Sequence, residues 1–224
     1  MQNYENWTMR AFSISIILCL CVLGMNAQTL KQQGKSAEQI VPKGWEHKET
    51  VGDLNKDGIK DLVVLAKPNF KENMMTRDDG YEYNFNPYIL AIYFGQESGN
   101  YQQWKQYEDL FQPDSEWSSV DVDIEITERG TLNISPNFFA SAGSYGTSQT
   151  TYTFRFQNGD FYLIGKESTE MSRNTGEMTT VSENYLTWKR QTIEDNAFED
   201  VKKKETWSKL TKEPLKKLGD EGLE

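Results

Sequence analysis

A short stretch, Gly52 to Leu65, constrains the fold most, because it sets oxygen-bearing side chains at a fixed spacing directly before an apolar run. Asp53, Asn55 and Asp57 occupy alternate positions, and Asp61 follows at the ninth position of the same run. Gly58 permits the sharp chain reversal that a tight loop needs. Oxygen ligands at these positions are what Ca²⁺ prefers, so the stretch predicts a calcium-binding loop.

The chain around this loop argues against an EF-hand. Position 7 of such a loop contributes its backbone carbonyl, and here that residue is Ile59. Position 12, which is a bidentate Glu in an EF-hand, is Val64, and a β-branched apolar run follows Asp61 instead of an amphipathic helix. The predicted metal ligands are Asp53, Asn55, Asp57, Ile59 and Asp61.

The pattern D-x-N-x-D-G-x-x-D leading into a strand resembles the loops of FG-GAP and integrin-like propeller repeats. The resemblance covers residues 45–65, the loop and its flanking strands. It implies a cation in a turn between two β-strands, with a structural role. The alternative is an ordinary turn that binds nothing, because Asn, Asp and Gly are common turn residues.

Apolar periodicity predicts a chain built almost entirely of strands. Two segments, 62–66 and 88–94, are apolar at successive positions and are expected at the centre of a sheet. Residues 120–126 alternate valine or isoleucine with acidic residues, which indicates a strand with one solvated face. The pair Asn158-Gly159 between aromatic segments predicts a hairpin.

These elements predict an all-β, mainly antiparallel fold. We expect a single-domain sandwich or a partial-propeller-like sheet assembly with one calcium loop between strands. The D-x-N-x-D-G pattern occurs once, whereas a full propeller repeats its blade at a fixed period.

Three segments are less defined. Aromatic residues three apart in 101–107 fit a helical turn or an edge strand. A further hairpin is expected from 167–172, turning at 174–176 and returning through 179–189. The C-terminal residues Trp207, Leu210, Leu215 and Leu218 are expected to dock as a strand or a short helix.

The N-terminus has the features of an export signal. Residues 11–24 form an apolar run shorter than the roughly 20 residues that span a membrane. We expect a signal peptide over 1–27, a flexible polar tether over 28–42 and a β-rich domain over 43–224. The alternative is a lipoprotein acylated at Cys19 or Cys21, the chain's two cysteines.

Export and charge limit the location and partners. Cleavage after Ala27 leaves a chain without cysteine and without a transmembrane helix, in the periplasm or at the cell surface. The net charge of −10 disfavours nucleic acid and anionic lipid, because both need a basic protein face.

Two functions fit this sequence. The first is an exported noncatalytic calcium-binding protein that binds a carbohydrate or peptide through aromatic loops at 70–88 and 136–148. The second is an accessory cell-envelope hydrolase with a carboxylate pair. The chain has one histidine, His47, expected as a half-buried packing residue, so histidine triads and multi-histidine zinc sites are disfavoured.

Overall fold

The computed structural model describes residues 29–112, 118–140, 146–199 and 202–223, without the side chains of residues 118, 139 and 140. The expected signal peptide and both cysteines lie outside these residues. The strands are β1 Gln33–Gly34, β2 Glu46–Gly52, β3 Asp61–Lys67, β4 Met74–Thr76, β5 Glu82–Asn84, β6 Ile89–Gly95, β7 Tyr101–Tyr107, β8 Ser118–Ile126, β9 Thr131–Ala140, β10 Gly146–Gln157, β11 Asp160–Ser172, β12 Glu177–Asn184, β13 Lys189–Asn196 and β14 Lys204–Lys209. The short helices are α1, Ala37–Ile40, and a 3₁₀ turn, Lys71–Asn73.

These strands form three sheets, and within each sheet every pair of neighbouring strands is antiparallel. Five strands run in the order β1-β7-β6-β3-β2, and seven form a meander from β14 to β8. The β4 and β5 strands make a separate hairpin. This architecture confirms the expected all-β, mainly antiparallel fold.

The main core joins the five-stranded sheet to the seven-stranded sheet. Because side chains alternate along a strand, one face of β3 and β6 points into this core and the other face points away. Burying each large apolar side chain contributes about 1.5–3 kcal/mol. The buried residues of this core include Val63, Leu65, Leu90, Ile92, Val122, Leu132, Ile134, Phe154 and Phe161.

The opposite face of the five-stranded sheet is covered by the N-terminal segment, which differs from the expected flexible tether over 28–42. Leu30, Ala37, Ile40 and Val41 are buried against β3 and β6 in a second core. The hydroxyl of Tyr93 donates to the carbonyl of Lys31 at 3.0 Å. The double-sided apolar character of β3 therefore has a physical cause: each face contacts a different core.

The structure also defines the three segments for which the sequence pattern was less clear. Residues 101–107 form the strand β7, paired with β6 across a register shift between Ile92 and Tyr93. The expected return strand 179–189 is divided by a turn at 185–188, after which β13 begins at Lys189. At the C-terminus, Leu218 is buried in the main core as expected, whereas Trp207 lies in β14 with its side chain exposed, so the expectation that Trp207 docks was wrong.

In the part of the chain that the structure describes, no helix is long and apolar enough to cross a membrane.

Candidate functional site: the β2–β3 loop

The predicted calcium loop is the connection between two paired strands. Gly52 of β2 pairs with Asp61 of β3, so residues 53–60 form the loop between them. Leu54 is 1% exposed and belongs to the main core, which fixes the loop to the body of the protein. Gly58 has φ +88°, a left-handed conformation that glycine adopts without steric cost.

The predicted ligands on the solvent side accept hydrogen bonds from the loop's own amides. The two carboxylate oxygens of Asp53 accept from the N–H of Lys56 at 2.7 Å and of Gly58 at 3.0 Å. The side-chain oxygen of Asn55 accepts from the N–H of Asp57 at 3.0 Å. These bonds hold the three alternating side chains of Asp53, Asn55 and Asp57 in one turn.

The next predicted ligand, Ile59, donates its N–H to the Asp57 carboxylate at 2.8 Å. Its side chain is half-buried, and its role as a predicted ligand concerns the backbone carbonyl. Its Cγ2 lies against Gly95 of β6, where a Cβ would come within 2.7 Å. The far side of the loop is therefore packed on the end of the neighbouring strand.

Asp61 is the inner anchor of the loop. It is fully buried and accepts from the N–H of Leu54 at 2.8 Å, of Asn55 at 3.3 Å and of Gly95 at 3.0 Å. Burial raises the pKa of this carboxyl; the three backbone donors act against the rise, and the charge of Asp57 adds to it. The Asp61 carboxylate thus joins the loop to β6 through hydrogen bonds from backbone N–H groups of both.

The β8–β9 turn packs on the loop from the other sheet. A Cβ at Gly130 would lie 2.4 Å from the carbonyl oxygen of Asp53, so only glycine allows this approach. The Lys56 ammonium donates to the carbonyl of Arg129 at 2.9 Å. The loop is therefore held by elements of both sheets.

A second group of potential metal ligands lies on a different part of the surface, at α1 and β2. The ligand atoms of Glu38, His47 and Glu49 all lie within 4.8 Å of one another. All three side chains are exposed, and acidic groups of this kind are common on surfaces without an ion. The expectation that His47 is half-buried was wrong: its side chain is exposed, and the second core is reached by Trp45, which precedes β2.

The acidic face of β8 has a cation partner that the sequence did not indicate. Lys48 of β2 donates to Asp121 at 2.8 Å and to Asp123 at 2.7 Å. Its pKa is raised: burial acts to lower it, but the hydrogen bonds and charges of the two aspartates outweigh that effect. Lys48 is 73 positions from Asp121 and 75 from Asp123 in the sequence. These residues meet because β2 and β8 are edge strands of the two sheets and lie side by side.

Of the aromatic residues in 70–88, Tyr81, Tyr83 and Phe85 lie at the β4–β5 hairpin, whereas Phe70 packs on the second core and Tyr88 on the main core. The rings of Tyr81 and Tyr83 contact edge to face, with their centroids 4.8 Å apart, and the ring of Tyr83 stacks on that of Phe85 at a centroid distance of 5.8 Å. Tyr81 is 61% exposed, and Met75, paired with Tyr83, is 59% exposed. In the second predicted aromatic segment, 136–148, Phe138 is exposed, and residues 141–145 lie outside the described part.

A groove of about 710 Å³ lies between β10–β13 and the C-terminal segment. Its best-buried carboxylate, Glu183, accepts from the Tyr185 hydroxyl and the Arg190 guanidinium. Burial raises the pKa of Glu183, but those two bonds outweigh burial and the pKa is lowered overall. Another carboxylate of the groove, Glu221, pairs with Lys216 at 2.6 Å.

Comparison of the chain with protein-family models, with curated proteins and with solved structures found no match.

Proposed function

We propose that this protein is an exported, noncatalytic β-sandwich whose β2–β3 loop binds a structural Ca²⁺. The observation that carries the proposal is the way the loop is fixed: Leu54 and Asp61 are buried, Asp53 and Asn55 are half-buried, and Asp57 is exposed. A loop anchored in this way presents its oxygens without a large cost in chain entropy.

The hydrogen bonds of the loop leave capacity for an ion. An ionised carboxylate has about four lone-pair positions. Asp53 uses two of them on backbone amides, so lone pairs remain on both of its oxygens. Ca²⁺ takes six to eight oxygen ligands, and the carbonyl of Ile59 and water complete the set in this proposal.

The state of the carboxylates favours binding over hydrolysis. A glycosidase of the usual kind needs one carboxyl with a raised pKa beside a free carboxylate. In the large groove, Glu183 is bonded to Arg190 and its pKa is lowered. Asp61 has a raised pKa, but its oxygens are taken by backbone amides.

The exposed aromatic hairpin supports a ligand-binding role. Tyr81, Tyr83 and Phe85 form a continuous row of rings beside the exposed Met75. Such a row offers a large apolar area with hydroxyl groups at its margin, which suits a carbohydrate or a peptide.

Calcium should raise the melting temperature of the mature protein, because a ligand bound only by the folded state stabilises it by mass action. At a hundredfold excess over the dissociation constant, the gain is about 2.7 kcal/mol. The measurement is a thermal melt in calcium and in chelator. Asp57→Ala should abolish the calcium-dependent rise and, in chelator, melt only slightly below wild type, since the hydrogen bonds it loses to Ile59 and Asn55 are exposed.

The matched control for that experiment is Lys60→Ala, since Lys60 is exposed at the end of the same loop. Lys56 is unsuitable, because its φ is +64° and its ammonium is hydrogen-bonded to Arg129. Equal melting of wild type in calcium and chelator, with no calcium by elemental analysis, would refute the calcium site.

Export should leave Gln28 as the first residue when the full chain is expressed with its own leader in a Gram-negative-type cell. N-terminal sequencing of protein from outside the cytoplasm tests this. A fatty-acid label on Cys19 or Cys21 would show instead that the protein is a lipoprotein.

A further inference from the structure

The distal end of the seven-stranded sheet carries a polar face with one exposed indole. The cross-strand register places Glu167 opposite Ser182, Ser182 opposite Gln191 and Gln191 opposite Trp207. Residues directly opposite each other in an antiparallel pair share a face, so these four side chains form one row across β11–β14. Every residue of β14 is exposed, including Trp207 at 61%.

The indole of Trp207 is held in place by polar neighbours. Its N–H donates to the carboxylate of Glu205, two positions away on the same face. The Gln191 amide donates to the same carboxylate oxygen at 3.0 Å. A large apolar ring is therefore fixed at the surface by its polar edge, and its contact face needs little ordering when a ligand binds.

A shallow groove of about 470 Å³ runs along this row, which is within the usual size of ligand sites. Its lining is hydroxyl, amide and charged side chains, with Trp207 as its aromatic member. Gly165, two residues before Glu167 on β11, pairs with Thr153 and Asn184 and leaves a gap beside the row of side chains. Glu167 already accepts from the Ser182 hydroxyl at 2.6 Å, so the polar groups beside the ring are positioned too.

We infer that this face binds a neutral oligosaccharide, with one sugar ring on the Trp207 indole and its hydroxyls on the neighbouring polar row. A sugar has an apolar face of C–H groups and a rim of hydroxyls, and this combination matches one aromatic ring surrounded by donors and acceptors. The groove is lined by carboxylates, among them Glu167, and by the ammonium groups of Lys166 and Lys189, so neither sign of charge dominates and a neutral saccharide fits it best. The net charge of −10 further disfavours an acidic saccharide.

The length of the row favours a chain of sugars over a single ring. Four adjacent strands span about 14 Å, because neighbouring strands lie about 4.8 Å apart. An oligosaccharide that contacts both Trp207 and Glu167 should therefore bind more tightly than its monosaccharide. This site is distinct from the calcium loop and from the β4–β5 hairpin, and it rests on the proposed function only in that the ligand is not hydrolysed.

The test is calorimetric titration of the mature protein with neutral gluco-, manno-, xylo- and N-acetylglucosamine oligosaccharides of three to six units. At least one should bind, and Trp207→Ala should weaken it by about tenfold or more. Phe198→Ala is the matched control, because Phe198 is 62% exposed and lies between β13 and β14. The control should bind like wild type, and thermal melts establish that both variants fold.

The remaining outcomes separate this inference from the proposals above. Failure of the whole panel to bind, or equal effects of the Trp207 and Phe198 substitutions, would overturn it. Loss of binding in Tyr83→Ala but not in Trp207→Ala would place the ligand on the hairpin and also overturn it. Binding of an extended peptide to the β14 edge, with no saccharide bound, would do the same. Release of shorter sugars would contradict the noncatalytic proposal while leaving the site in place.

Discussion

Asp61→Ala should lower the free energy of unfolding by about 4 kcal/mol, in calcium and in chelator alike. The substitution leaves the buried N–H groups of Leu54 and Gly95 and the part-buried N–H of Asn55 without their acceptor. Each unsatisfied buried donor costs about 1–3 kcal/mol, and release from burying the carboxylate offsets part of that sum. Urea unfolding in both conditions measures the loss.

The matched variant is Asp61→Asn, which keeps one acceptor oxygen for Gly95 and turns an amide N–H₂ towards the remaining donors. It should lose roughly half as much stability as the alanine variant. A loss seen in calcium that disappears in chelator would mean that Asp61 acts only as an ion ligand. A loss below about 1 kcal/mol in both would contradict the anchoring role.

The strands that could be predicted from sequence are those in which the order of apolar and polar residues follows the burial of the strand's two faces. Residues 120–126 alternate because one face of β8 enters the core, where Val122 is fully buried. Residues 62–66 are apolar throughout because β3 lies between two cores. In both cases the local pattern reports directly on burial.

Segments whose structure depends on distant partners could not be predicted in this way. Residues 29–42 contain only one turn of helix, too short for a helical period, and their burial depends on a sheet formed later in the chain. In β7, the register shift lets Trp104 and Tyr107 contact the same core, although they are three residues apart. A bulge adds one residue to a strand, so a search for strictly alternating apolar and polar residues does not find it.

The candidate site shows the same division. Spacing placed Asp53, Asn55 and Asp57 in one turn, and the structure has them joined by hydrogen bonds within that turn. Spacing alone did not indicate that Asp61 is fully buried, because its donor on Gly95 is 34 residues away. The link from Lys48 to Asp121 depends likewise on how two sheet edges meet.

Gly130→Ala should destabilise the protein by about 3 kcal/mol, whereas Gly99→Ala should cost about 1 kcal/mol. The two glycines occupy equivalent positions in similar hairpin turns, with φ of +71° and +77°, so the backbone strain of an alanine is the same in both. At Gly99 no heavy atom lies within 4 Å of an added Cβ, whereas at Gly130 the Asp53 carbonyl oxygen lies at 2.4 Å.

The difference between the two variants therefore measures the contact between the β8–β9 turn and the β2–β3 loop. Because an alanine at position 130 must push Asp53 away, Gly130→Ala should also weaken calcium binding, and Gly99→Ala should leave it unchanged. Urea unfolding in chelator gives the first quantity and calcium titration gives the second. Equal stability losses in the two variants would mean that the loop yields to the turn without cost, and that the second sheet does not hold the predicted ligands in place.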